Sequence, residues 1–234
     1  MRISTALRYD VLFQFRHGFY YAYLVISIFY IIALYLLPDS LRGQITVYVL
    51  FSDIAMIGFF FVGAIVLLEK GQNILQNIFA TPLRLWEYFC AKTASLTLLA
   101  LISALLIVFI VHGLIPNLFL FILGLVLSAA FYTLFGMIVV ANSRSVNDYF
   151  GKALGLGILL SAPLMNYLGI FKSPFFYLLP SQATLIVLDL PFFDHAAWQI
   201  IYAFVCLLAW SGIASWIAYQ RFYKFIILKS GAGA

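Results

Sequence analysis

The chain has 234 residues, of which 65% are apolar and only 9% charged, against roughly 25% charged in an ordinary soluble domain. With a mean hydropathy of +1.09 this excludes a water-soluble fold, and six membrane-spanning helices of about 20 residues each leave no room for a soluble catalytic domain. The net charge of +5 is therefore read for membrane topology, and Cys90 and Cys206, far apart in sequence, fit neither a disulfide framework nor a metal cluster.

In chain order, residues 4–18 come first and read as a helix. Leu7, Val11 and Phe15 recur every fourth residue beside a polar strip of Asp10, Gln14 and His17, with Arg8 and Arg16 flanking. Such a segment lies flat in the cytoplasmic interface. Six apolar runs follow, at 19–37, 47–68, 93–111, 118–141, 153–171 and 196–219. The first is longer than a signal-peptide core and has no small-x-small cleavage site after it, so it is an uncleaved span. Tyr20, Tyr21 and Tyr23 at its start form an aromatic belt. The predicted fold class is an all-α integral membrane protein, with residues 1–234 as one transmembrane domain.

The basic residues orient it. Arg2, Arg8, Arg16, Lys70, Arg84, Lys92, Arg144, Lys152, Arg221, Lys224 and Lys229 fall on one side, eleven of the 13, and only Arg42 and Lys172 on the other. The positive-inside rule then places both termini in the cytoplasm. The outer connection 172–195 is too apolar for a solvated loop and too broken by Pro174, Pro180 and Pro191 to span. It reads as a re-entrant or interfacial hairpin packed against protein, the alternative being an amphipathic helix on the outer headgroups.

As drawn, the six spans hold no Asp, Glu, Lys, Arg or His in their middle thirds; Asp53 lies near the outer end of the second and Glu69 just past its inner end. An ion-coupled carrier keeps an ionisable residue in the membrane. Nothing supports intramembrane catalysis either, since there is no HExxH and no carboxylate cluster. Energy for active transport must then come from a partner, and the 24-residue loop from Glu69 to Lys92 is the handle. Within QNILQNIFA (72–80), Ile74, Leu75, Ile78 and Phe79 occupy one arc of a helical wheel and Gln72, Asn73, Gln76 and Asn77 the opposite arc. Thr81 is a good N-cap and Pro82 a good first helical residue, so a new helix runs through Trp86, Glu87 and Lys92 into the third span. The same wheel suits any interfacial connector, so the pattern leaves docking and plain interfacial packing both open.

At these residues the chain resembles a known family. Glu69-Lys70-Gly71, an amphipathic stretch, Thr81-Pro82, Glu87 and Lys92 resemble the cytoplasmic loop of type-2 ABC transporter permeases, the six-span subunits of ATP-driven exporters. Gln72-Asn73 depart from the pattern, where Thr more often follows the Gly. ALRYDVLFQFRHGFY from Ala6 and FSDIAMIGFFFVGAIVLLEKG from Phe51 are similar to fluoroquinolone export permease subunits.

The resemblance implies an interfacial elbow helix, six spans, a coupling helix that docks on a separate ATPase, and a re-entrant outer gate between spans five and six. It implies efflux of a drug-like or amphipathic compound, a second permease subunit that is identical or paralogous, and a place in the cytoplasmic membrane of a bacterium. The chain is not expected to be an enzyme or to bind a cofactor. It has no GxxxxGK[ST], so ATP and Mg belong on the partner ATPase.

The expected ATPase-docking residues are Glu69, Gly71, Gln72, Ile74, Leu75, Gln76, Asn77, Ile78, Phe79, Thr81 and Pro82. Glu69 has a contact with a loop of its own subunit, or a place as a solvated helix-end charge, as alternatives. Small residues allow close helix approach, which makes Gly151, Gly155, Gly157 and Ser161 candidates for the subunit interface and Ser128, Ala129 and Gly136 candidates for internal packing. Phe59, Phe60 and Phe61 with Tyr30 and Tyr35 either line a pathway for an aromatic substrate or face lipid. A competing function is a non-transporting anchor or assembly subunit that uses the same loop to recruit another protein.

Overall fold

The computed structural model describes residues 2–72, 74–75 and 83–224, and among these there is no strand. The helices are α1 (Arg2–Arg16), α2 (Phe19–Tyr35), α3 (Asp39–Ala55), a π-helical segment (Met56–Phe61), α4 (Val62–Gly71), α5 (Leu85–His112) and α6 (Leu118–Ala141). They continue with α7 (Val146–Ser161), α8 (Pro163–Tyr167), a 3₁₀ turn (Pro174–Leu178), α9 (Pro180–Asp189) and α10 (Ala197–Phe222).

Four helices among the described residues are long and apolar enough to cross a membrane. One is the uninterrupted 33-residue run Asp39–Gly71 formed by α3, the π segment and α4; the others are α5, α6 and α10. α1 and α2 form a further candidate bent by 64°. The bend falls at Gly18, whose φ of +80° suits a residue without a Cβ.

The expected spans are met unevenly. α6 matches its predicted run of 118–141 residue for residue. α2 has 17 residues and α7 has 16, roughly 24–26 Å at 1.5 Å per residue, short of a hydrocarbon core of about 30 Å. The predicted fifth span, 153–171, is displaced. Ser145 caps α7 by accepting the Asp148 N–H at 3.2 Å, while the Asp148 carboxylate accepts the Arg144 N–H at 3.0 Å, so the helix starts seven residues early. It then stops at Ser161, and Pro163, which has no N–H to donate, opens the short α8. The helix leading into the third span begins at Leu85, three residues beyond Pro82, where Glu87 accepts the Arg84 N–H at 2.7 Å.

α6 is the central post, contacting α3, α4, α5, α9, α10 and the π segment. It is approached so closely because small residues face its neighbours. A Cβ on Gly58 would lie 2.7 Å from the Tyr132 Cβ, and one on Gly136 would lie 2.8 Å from the Phe59 carbonyl oxygen. Ser128, Ala129 and Gly136 are all buried, as internal packing requires. Every residue of α9 is buried against α3, α6 and α10, and Gly124 on α6 makes room for Val187. α9 is thus packed on protein on every face, whereas Phe175 and Leu178 in the 3₁₀ turn before it are exposed.

Candidate functional site

The first site lies where α1, α4 and α5 meet. Lys92 has no exposed surface, and its Nζ sits 2.5 Å from Glu69 Oε1 and 2.6 Å from Asp10 Oδ1. Tyr88 donates its hydroxyl to Glu69 Oε2 at 2.6 Å, and one turn on, Gln14 donates to Ser95 at 2.8 Å. A buried ammonium is tolerated only with such short anionic contacts. Two carboxylates share one cation. Burial pushes the Asp10 carboxyl above its ordinary range, Lys92 pulls it back, and the nearby Glu69 adds to the rise. Asp10 and Gln14 of the polar strip therefore face α5, while His17, Tyr9, Leu12 and Phe15 are exposed. Lys70 extends the cluster by donating to the Ser143 carbonyl at 3.2 Å.

Glu69 is 3% exposed and is held by Lys92 and Tyr88 of its own chain, one of the alternatives the sequence left open for it. Leu75 is likewise buried in the core and Ile74 half-buried, whereas Gly71 and Gln72 are exposed. Gln76, Asn77, Ile78, Phe79, Thr81 and Pro82, with Asn73, lie outside the described residues.

The second site is a cleft of about 320 Å³ between the π segment and α7, lined by Tyr48, Phe51, Phe59, Phe60 and Tyr132 on one side and by Leu154, Gly157, Ile158 and Ser161 on the other. Here the helix widens to a π turn, a feature frequent at functional sites. Tyr149, seated against Gly63, donates its hydroxyl to the Phe59 carbonyl. Phe59 stays buried while Phe60 stacks on Phe150 with centroids 5.7 Å apart. Exposed Leu154 and Ile158 border the mouth, so the cleft opens on the outside of the single subunit.

Of the expected pathway residues, the cleft gathers only Phe59 and Phe60. Phe61 points the other way, edge-on to Phe19 and Tyr23 at 5.0 and 5.1 Å. Tyr35 is exposed at the end of α2, donating to the Ile110 carbonyl with the Arg42 guanidinium 5.8 Å from its ring, and Tyr30 is half-buried beside Phe29 on α2. These three do not line the cleft because they leave α2 and the π segment on other faces. Of the expected interface residues, Gly157 and Ser161 line the cleft, while Gly151 and Gly155 are exposed with nothing within 4 Å of a Cβ placed there.

The partners of two buried carboxylates were not legible in the sequence. Asp53, expected near a span end, lies well inside Asp39–Gly71 because that helix starts eight residues before the predicted run; it is 2% exposed and accepts from Ser103 at 2.8 Å. Ser27 and Ser103, isolated hydroxyls in apolar runs, were the available signal. At the far end from Lys92, Asp189 accepts from Tyr167 at 2.8 Å and lies 3.2 Å from His195 Nε2, tying α8 and α9 to the start of α10. Burial raises the Asp189 carboxyl, and hydrogen bonding from Tyr167 and the charge of His195 oppose the rise.

Comparison with known proteins joins these features to a family. The family model for fluoroquinolones export permease proteins matches residues 1–230. Two proteins named fluoroquinolones export permease protein, from Mycobacterium tuberculosis strains CDC 1551 / Oshkosh and ATCC 25618 / H37Rv, are each 35% identical over 233 residues, 98% of this chain and 98% of theirs. A membrane protein with these helices, matched from end to end, is a member: the chain belongs to the fluoroquinolones export permease family.

Proposed function

We propose that the chain is the membrane-spanning subunit of an ATP-driven exporter, forming the translocation pathway with a second permease subunit while a separate ATPase supplies the energy. The observation that supports this best is the Lys92 cluster. Glu69 at one end of the cytoplasmic loop and Tyr88 and Lys92 beyond its other end are fastened to each other and to Asp10. A push on that loop is carried into α1, α4 and α5 together, a rigid-body displacement of the kind that moves packed assemblies between two states.

In this reading residues 72–80 are the coupling helix, α1 is the elbow in the cytoplasmic interface, and α9 is a re-entrant gate on the outer side. The chain crosses six times, with α2 and α7–α8 as the first and fifth crossings and both termini in the cytoplasm. Exposed Gly151 and Gly155, with the apolar row Leu154, Ile158 and Leu159, offer the surface for the second subunit. The relatives' name points to flat aromatic cargo. The Phe51, Phe59, Phe60 and Tyr132 rings of the cleft present faces and edges for stacking, in a volume within the usual range of about 300–1,000 Å³ for small-molecule sites.

The test is co-purification and efflux with Ile78→Asp/Phe79→Asp. The wild-type chain is expected to bring down a P-loop ATPase and to lower intracellular fluoroquinolone, and the variant, expressed in the membrane at the same level, to do neither. If no ATPase accompanies the wild type and the variant leaves efflux untouched, the reading fails.

A further inference from the structure

Asp53 is an ionisable side chain that the exporter reading does not use. Its depth is bracketed by two polar layers. The Thr46–His112 hydrogen bond, 2.8 Å, marks one end of the bundle and the Glu69–Lys92 pair the other. At about 1.5 Å per residue, Asp53 lies roughly 10 Å, and Ser103 roughly 14 Å, inward of the Thr46–His112 layer. That is within the hydrocarbon zone, where ionisable groups are rare and are found doing work.

The surroundings of the carboxyl are made of hydroxyls. Ser103 on α5 donates to Asp53 Oδ2 at 2.8 Å and shares a 3.0 Å hydrogen bond with Ser27 on α2. Tyr23 and Tyr30 lie on either side of Ser27 on α2, and the Tyr23 hydroxyl is buried with no hydrogen-bond partner among the described residues. On the α6 side, Tyr132 packs against Phe51 instead. Among the described residues no basic side chain pairs with Asp53: Arg42 is held by Asp39 and by the Leu34 and Leu37 carbonyls, and Lys92 by Asp10 and Glu69. An ionised carboxylate in this setting lacks the counter-charge that burial demands. A protonated one needs none, and it gains an O–H donor.

We propose that Asp53 is a proton-binding site: a neutral carboxylic acid that fastens α3 to α2 and α5 through Ser103 and Ser27. The same three oxygens would suit a sodium ion, and the experiment separates the two.

Infrared spectra of the purified permease in lipid nanodiscs at neutral pH are expected to contain a carboxylic-acid C=O band that is missing from Asp53→Asn. Ser103→Ala is expected to keep the band and move it to higher frequency, because one hydrogen bond to the carboxyl is lost. Identical spectra for wild type and Asp53→Asn in the acid region overturn the proposal. So does loss of the band when sodium is added at constant pH, which assigns the oxygens to a metal cation. Should Asp53→Asn not fold, the Ser103→Ala spectrum decides alone, and an unshifted acid region refutes it.

Discussion

Replacing Lys92 by Met deletes one cation and keeps an unbranched apolar side chain one atom shorter. In the native protein that ammonium makes contacts of 2.5 and 2.6 Å with Glu69 and Asp10 and has no exposed surface. Without it, two carboxylates face each other with only the Tyr88 hydroxyl to share. Breaking a buried ion pair from one side costs about 3–5 kcal/mol. At about 2–4 °C per kcal/mol for a chain of this size, the unfolding midpoint in detergent should fall by about 6–20 °C. The triple variant Asp10→Leu/Glu69→Leu/Lys92→Met leaves no charge in the cluster, and replacing a buried ionic cluster whole by apolar groups is often neutral or stabilising, so most of the loss should return. Tryptophan fluorescence during heating measures both. A Lys92→Met midpoint equal to wild type, or a triple variant no better than the single one, would show that the cluster is not the buried, mutually dependent unit described.

Two further outcomes concern the cleft. Tyr149→Phe leaves the Phe59 carbonyl of the π turn without the hydroxyl that donates to it, and it should destabilise the protein by about 1–3 kcal/mol and weaken binding of a fluorescent fluoroquinolone in equilibrium titration. Gly136→Val places a Cβ 2.8 Å from the Phe59 backbone oxygen; no rotamer relieves a backbone clash, so the cost should reach or exceed about 1–3 kcal/mol, read as a lower midpoint.

The membrane class and the existence of the central helices follow from composition and periodicity. Apolar runs in a charge-poor chain have one solvent open to them. Helix ends depended on less visible chemistry. The Ser145-x-x-Asp148 cap lay in the open, yet the apolar run behind it starts only at Ala153, so hydropathy placed the helix start too late. Asp53 was visible in the sequence, but its meeting with Ser103 and Ser27 was not.

By itself, the sequence determined that this protein lives in lipid, which side its basic residues favour and which family it resembles, because each of these is a property of residue order along one chain. Only the tertiary structure decided that Glu69 turns inward to Lys92, that Phe59 and Phe60 share a cleft while Phe61, Tyr30 and Tyr35 do not, and that Asp53 meets Ser103 and Ser27 inside the bundle. The reason is that in a bundle every helix has several faces. Which face meets which neighbour is settled by packing between residues far apart in sequence: Glu69 with Lys92, Gly58 with Tyr132, Asp53 with Ser103. Hydropathy along the chain carries no record of those meetings.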